Sequence, residues 1–413
     1  MQKNDLHLAL HTHRPALAPP PRAGLNHRMD SDALRDLLIS WANLNSGSAN
    51  FAGLDRMRAA LATEFSRLAS ATIEHVALVG TPAQALRVRI RPDAPQQILF
   101  SGHYDTVYGV DDPFQSCTLV DEKILRGPGV TDMKGGIVVM LAALRELEKS
   151  PHAARLGCEV LLTPDEEIGS FGSGPLFEAA GASKRFSLAL VFEPARPNGD
   201  LVHSRKGTGN FVATCHGRAA HAASPTRQGR NAIAALAEFL VGAHRVPKEL
   251  PGVMLNIGNI RGGGPATNVV PDFAEAALDL RITRAADSEP FLARLRELAA
   301  PINAREGFRL EITGAFNRPP KECTPVEEEA FAAIQQSARD LGLAPFTWVH
   351  TGGASDGNNL STAGLPNLDG LGPIGDRLHS SEEFVVWPTL AERGRLCARF
   401  LEKVATGEVA LPR

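Results

Sequence analysis

Cysteine gives this chain little to build with. Its five, Cys117, Cys158, Cys215, Cys323 and Cys397, are scattered, odd in number and without a CxxC pair, which argues against a disulfide framework or a thiolate zinc knuckle and fits a reducing compartment. Charge of one sign is also missing. Forty-three Lys and Arg stand against 46 Asp and Glu, a formal net charge of -3, so there is no basic footprint for nucleic acid. No apolar run reaches the length of a membrane span. The opening MQKNDLHLALHTHRPALAPPPRAG lacks the apolar stretch of a secretory signal. A cytoplasmic protein with neither nucleic-acid nor membrane partner is expected. The leader, residues 1–28, is expected to be flexible around Pro19-Pro20-Pro21, and His11 and His13 within it are read as part of that tail. Met29 offers an alternative start, with Asp30 or Ser31 placed to cap the helix that follows.

What is present is ordinary globular material, 43% hydrophobic and 22% charged over 413 residues, enough for two cores. Apolar residues at helical spacing predict helices over Asp32 to Ala42 and Leu54 to Leu68. Strands are expected over Ala85 to Ile90, Gln97 to Gly102, Cys158 to Thr163 and Ser187 to Glu193. Helices over Gly135 to Glu148 and Gly174 to Ala180 alternate with them. This alternation predicts an α/β fold with a mixed central sheet covered on both faces. After Arg205 the pattern changes. Strands over Gly209 to His216, Met254 to Ile260, Ala274 to Ile282 and Phe308 to Thr313, with helices over Asn231 to Ala243 and Glu289 to Ala299, read as βαββαβ, a ferredoxin-like α+β unit. After Pro319-Pro320 the first pattern returns, with helices over Val326 to Leu341 and Pro388 to Val404 and a strand over Phe346 to His350. The expected organisation is a discontinuous domain of residues 29–204 and 317–413, interrupted by an inserted domain of residues 205–316.

Acid- and histidine-bearing motifs fall where apolar runs end. Ser101-Gly102-His103-Tyr104-Asp105 closes one. Residues two apart on a strand face the same way, so Asp105 either orients His103 or forms with it an exposed pair. Gly127-Pro128-Gly129-Val130-Thr131-Asp132-Met133-Lys134-Gly135-Gly136 precedes a helix, where Asp132 either bridges two cations or caps the helix. Glu166-Glu167 follows a buried strand. Two adjacent acids there divide labour, one binding metal and one taking a proton from water, unless they form a solvated turn. Glu193 ends another strand, and His379 follows the turn Gly375-Asp376-Arg377. Ligands in open α/β sheets gather at strand carboxyl ends. Together the positions describe a two-cation site of His and carboxylate ligands, which favours zinc with cobalt or manganese as substitutes, and point to a metal-dependent hydrolase.

In order and content these motifs resemble the dizinc exopeptidase and deacylase family that contains bacterial glutamate carboxypeptidase (carboxypeptidase G), acetylornithine deacetylase, succinyl-diaminopimelate desuccinylase and aminoacylase. The resemblance runs from about Leu37 to the C-terminus. It implies that His103, Asp132 and Glu193 hold one zinc, and that Asp132, Glu167 and His379 hold the other. It makes Glu166 the general base and Asp105 the orienter of His103. The inserted domain becomes a lid and dimerisation domain. His221 then reaches the partner subunit's active site to stabilise the oxyanion. Asn268 and Arg281 hold the substrate carboxylate or carbonyl, with Lys206 and Gly353 beside the substrate. The late turn Gly352-Gly353-Ala354-Ser355-Asp356-Gly357 and the Asp376-Arg377-Leu378 preceding His379 depart from the family pattern, so specificity does not transfer with them. The implied substrate is a small peptide or N-acyl amino acid with a free carboxylate. A glutamate-type carboxypeptidase is the first reading, and a deacylase of N-acyl amino acids the second. A non-catalytic binding relative is the remote third, weakened by the presence of all five ligands and Glu166.

Overall fold

The computed structural model describes residues 29–223 and 228–412; the leader with His11 and His13 lies outside the described residues. In chain order the first elements are α1 (Ser31–Ala42), α2 (Phe51–Phe65), β1 (Ala71–Ala77), β2 (Gln84–Ile90), β3 (Gln96–His103), β4 (Thr118–Leu119), β5 (Ile124–Arg126) and α3 (Lys134–Leu147). Then come β6 (Leu156–Thr163), α4 (Gly174–Ala182), β7 (Leu188–Val191), β8 (Leu201–Arg205), β9 (Gly207–His216), α5 (Ala232–Ala243) and α6 (Val246–Glu249). β10 (Val253–Gly262), β11 (Phe273–Ile282), α7 (Ser288–Asn303), β12 (Arg309–Arg318), α8 (Pro325–Asp340), β13 (Trp348–Thr351) and α9 (Asp356–Thr362) follow. β14 (Asn367–Asp369), β15 (Gly375–Asp376), β16 (Phe384–Val386) and α10 (Pro388–Thr406) complete the chain.

Local chemistry accounts for the helix ends. Asp30 caps α1 by accepting from Ala33 N at 3.1 Å, and Asn50 caps α2 through Gly53 N at 3.0 Å. At α8, Thr324 and Glu327 form a reciprocal capping box. Gly407 closes α10 with φ of 83°, a left-handed position that glycine occupies without penalty.

An eight-stranded sheet runs in the order β1-β2-β6-β3-β7-β14-β8-β13. Its centre, β6-β3-β7-β14, is parallel, and β1 and β2 are antiparallel additions. Alternation along the central strands serves two cores. Ile98, Phe100, Val160, Leu162, Leu188 and Leu190 face one, with α1, α3, α8 and α10 over it. Leu99, Leu161, Ala189 and Val191 face the other, covered by Phe177 of α4 and Leu360 of α9. This is the mixed sheet with helices on both faces that the alternating pattern predicts. The segment between β8 and α8 forms a second, antiparallel sheet in the order β10-β11-β9-β12, with α5 and α7 packed on it through Phe239, Phe291 and Leu295. That strand order and its two helices are ferredoxin-like. The chain crosses between the sheets at Arg205–Gly207 and returns at Arg318–Lys321, where Arg205 and Lys321 form an antiparallel bridge.

Some elements differ from the sequence reading. The edge strand β1 and the small sheet β15-β16-β5-β4 were not anticipated. Their strands are short or half-exposed and carry no sustained apolar alternation, so pairing rather than pattern defines them. β12 runs to Arg318 rather than stopping at Thr313, because β9 pairs with it along its whole length.

Candidate metal centre

Parallel pairing in register sets the site. His103 at the end of β3 lies opposite Thr163 at the end of β6, Ser101 opposite Val191 of β7, and Val191 opposite Asp369 of β14. The loops after these strands therefore open on one sheet edge, delivering His103, Glu166, Glu167, Glu193 and, beyond β14, His379. Asp132 arrives from the turn between β5 and α3. The start of α3 just after it comes close to the sheet: a Cβ on Gly136 would lie 2.0 Å from the carbonyl oxygen of Phe192, next to Glu193.

Two ligand sets result, His103 with Asp132 and Glu193, and Asp132 with Glu167 and His379, the ligand atoms of each set lying within 4.8 Å of one another. Asp132 belongs to both. Its Oδ1 is 3.1 Å from His103 Nε2 and its Oδ2 is 3.3 Å from His379 Nε2. Glu193 Oε1 stands 3.7 Å from His103 Nε2, and Glu167 Oε2 stands 3.1 Å from His379 Nε2. Two imidazoles and three carboxylates so arranged, one carboxylate offering an oxygen to each side, fit a pair of borderline divalent cations.

Asp105 organises the centre. Its Oδ1 lies 3.2 Å from His103 Nδ1, and its two oxygens accept from Glu166 N and Glu167 N, each at 3.2 Å. Ser48 Oγ donates to it at 2.8 Å. His103 thus has its ring fixed from behind, as metal-binding imidazoles usually do, and the acidic pair is held by the same carboxylate.

Burial and crowding set the charge states. Glu166 is pushed up to about 8 by burial, against the pull of Arg318. Glu193 is raised well above the carboxylate range by burial and the charge of Asp132, and Glu167 is raised for the same reasons. Burial works against ionised Asp132 too, yet hydrogen bonds from His103 and His379 hold it below the usual range. Hydrogen bonds to Asp132 and Glu167 lift His379 to about 11. Burial disfavours a charged His103, but hydrogen bonds to Asp105 and Asp132 raise it well above its ordinary value. Packing this much carboxylate into one buried cluster is what a cation resolves.

The residues expected on the substrate side divide. Arg281 and Gly353 line a cavity of about 440 Å³ that also exposes Glu166, Glu167 and His379. Arg281 donates to Gly352 O at 2.9 Å and leans on Asp279 at 3.2 Å. Lys206 does not line this cavity; its Nζ lies 2.9 Å from Met254 Sδ on β10. His221 and Asn268 are exposed and near each other, through the His221–Val269 bridge and the bond from Ala222 N to Asn268 O at 2.9 Å, and neither lines the cavity of their own chain.

Three residues of the centre went unread in the sequence. Glu383 is buried beneath the Asp132 turn, accepting from Gly129 N at 3.1 Å, Thr131 N at 2.9 Å, Asp132 N at 3.0 Å and Tyr108 Oη at 2.8 Å. Lys134, fully buried, anchors the same turn by donating to Leu44 O at 2.8 Å. Arg318, the last residue of β12, pairs with Glu166 Oε1 at 2.6 Å and donates to Glu166 O at 2.7 Å and Ser170 Oγ at 2.8 Å. The one signal for Glu383 was its place in the acidic doublet Glu382-Glu383 soon after His379; for Arg318 it was the Pro319-Pro320 that follows.

Comparison with known proteins agrees with this geometry. Residues 99–403 match the model of Peptidase family M20/M25/M40. A succinyl-diaminopimelate desuccinylase of Methylorubrum populi is 31% identical over 353 residues, 78% of this chain and 86% of that protein. Carboxypeptidase G2 of a Pseudomonas species is 26% identical, covering 78% of this chain and 77% of the relative. Among solved structures, a Staphylococcus aureus tripeptidase superposes with a TM-score of 0.77 at 20% identity, over 92% of this chain and 100% of its own. A Bacillus subtilis dinuclear metal binding peptidase of the M20 family superposes with a TM-score of 0.65 at 16% identity, over 92% and 99%. The chain belongs to peptidase family M20/M25/M40 and is a metallohydrolase of that family. No helix among the described residues is long and apolar enough to cross a membrane.

Proposed function

We propose that this enzyme holds two zinc ions and cleaves an amide bond next to a free carboxylate, as a glutamate-type exopeptidase. The observation that carries the reading is one cavity lined by Glu166, Glu167 and His379 together with Arg281. An arginine fork recognises a carboxylate, and it stands here beside a base and a metal-ligand set. Cobalt or manganese would fit the same ligands.

His103, Asp132 and Glu193 would hold one cation and Asp132, Glu167 and His379 the other. Bound there, the pair would polarise the scissile carbonyl and acidify the attacking water. Arg281 docks the substrate carboxylate, with Gly353 at the cavity wall. Glu166 takes the proton of the attacking water and returns it to the leaving amine. Asp105 keeps His103 and the Glu166-Glu167 backbone in place. His221 of the partner subunit, in a homodimer built through the second sheet, would donate to the oxyanion, with Asn268 beside it; the exposure of both in one chain supports that reading. Lys206 would join only if its side chain left Met254. A cytoplasmic location fits the free cysteines.

The second reading, a deacylase of N-acyl amino acids, draws on the desuccinylase named among the relatives. Both cleave the same kind of bond, so the test is a panel of aroyl-glutamates, dipeptides, and N-acetyl and N-succinyl amino acids, with and without chelator. Chelator-sensitive glutamate release is expected. Preference for N-acyl substrates would move the assignment to the second reading. Glu166→Ala should keep both metals and lose turnover by about 10²- to 10⁴-fold, the usual worth of a general base; a near-normal rate would overturn its role.

A further inference from the structure

A second group of metal-ligating side chains lies away from the catalytic cluster, where the chain crosses between its two sheets. The bridge that joins the crossings is a reciprocal pair: Arg205 N donates to Lys321 O at 3.1 Å and Lys321 N to Arg205 O at 3.0 Å. Two residues back from Arg205 is His203, and two residues on from Lys321 is Cys323. The bridge is antiparallel, so these two residues flank it on the same side. Glu328 joins them because Thr324 caps α8 and Glu328 N closes its first turn on Thr324 O at 3.1 Å. One ligand atom from each of His203, Cys323 and Glu328 lies within 4.8 Å of the others.

The surroundings suit a cation. His203 Nδ1 is buried and has no hydrogen-bond partner, a costly state for an imidazole nitrogen that coordination would relieve. Trp348 holds the ring edge-on at 4.5 Å, and His350 stands beside it with centroids 4.8 Å apart. The nearby ammonium of Lys321 is already engaged, at 2.9 Å by Glu327 and at 3.3 Å by the backbone oxygen of His203. One imidazole, one thiolate and one carboxylate form a donor set for zinc or cobalt rather than magnesium or calcium.

We propose that His203, Cys323 and Glu328 form a third metal site, separate from the catalytic pair, that takes a divalent cation of the zinc or cobalt class and pins the two crossings together. On binding, the Cys323 thiol releases its proton to solvent and the fourth position is left to water. The proposal does not depend on the substrate assigned above.

Cobalt titration of the full-length protein tests it, because no ligand of the catalytic cluster carries sulfur. Wild type should take up a third equivalent together with a thiolate-to-cobalt charge-transfer band in the near ultraviolet. Cys323→Ser should lose that equivalent and that band while keeping the other two equivalents and hydrolysis. Asp132→Asn, which disables the catalytic cluster, should keep the band. Peptide hydrogen exchange over residues 201–207 and 319–325 should slow with the third equivalent in wild type and not in Cys323→Ser. Absence of the band in wild type, or its survival in Cys323→Ser, would overturn the site. So would its survival unchanged in His203→Ala and Glu328→Ala, which would mean a lone thiolate. A band without slowed exchange would overturn the pinning.

Discussion

Arg318→Met should move the acid limb of the pH–rate profile upward. As the proposed base, Glu166 would act only when ionised, so the limb would report its pKa. Burial raises that pKa, and Arg318, 2.6 Å away with both side chains under a tenth exposed, pulls it down. An opposite charge so close lowers a carboxylate by about 1–3 units, at about 1.4 kcal/mol per unit. Removing it should therefore shift the limb up by about 1–3 pH units and cut turnover near neutrality by about 10- to 1000-fold, with the loss recovered as pH rises. Bound cations also favour ionised Glu166, so both profiles lie lower than in the free protein; the difference between the variants is the observable. Arg318→Lys keeps the charge and gives up the fork to Glu166 O and Ser170 Oγ, so its shift should be smaller.

The assay is kcat and KM against pH for metal-loaded wild type and both variants. An unmoved acid limb in Arg318→Met would refute the reasoning. If KM rose while the limb stayed, Arg318 would serve the substrate carboxylate and not the base. Stranding a buried carboxylate costs about 3–5 kcal/mol, but Glu166 can escape by taking a proton, so the variant should stay folded, with a lower melting temperature as the check.

Two further perturbations probe the support of Asp132 and Glu193. Glu383→Gln removes the charge from the acceptor of three backbone amides in the 129–132 turn and should weaken metal binding about 10- to 100-fold, in line with other residues that orient ligands; unchanged affinity by calorimetric titration would count against a positioning role. Gly136→Ala puts a methyl group where the Phe192 carbonyl approaches, so α3 or the end of β7 must shift, at about 1–3 kcal/mol. Lower stability with reduced metal stoichiometry is expected, and wild-type values for both would show that this close approach does not hold Glu193.

The candidate ligands His103, Glu167 and Glu193 stood out because each lies just past an apolar run, whereas Asp132 and His379 sit in turns and gained meaning only beside the others; the structure brings all five into two ligand-sized groups. The parallel order β6-β3-β7-β14, which makes those ends adjacent, was not legible, since apolar runs do not encode their neighbours. Glu383 and Arg318 were missed for a related reason. Their partners lie 251 to 275 and 148 to 152 residues away, and the acidic doublet and the proline pair near them do not say which residues they meet. His203, Cys323 and Glu328 escaped likewise, because scattered cysteines carry no pairing signal and only the fold brings Cys323 near a histidine and an acid.

Arg318 also ties the chemistry to the architecture. The loop after β6 of the main sheet supplies Glu166 and Glu167 to the cavity and the β15–β16 connection of the small sheet supplies His379, while the second sheet supplies Thr208, Asp279, Arg281 and Arg318. Glu166 therefore takes its counter-charge from an element that also carries the proposed substrate anchor, Arg281. A displacement of the second sheet that withdrew the anchor would withdraw Arg318 as well, and the unpaired, buried Glu166 would hold its proton. The base would then be ionised chiefly when the carboxylate-binding wall is in place. That coupling would limit proton abstraction from water in an open cavity, and it follows from one residue standing where β12 ends and the return crossing begins.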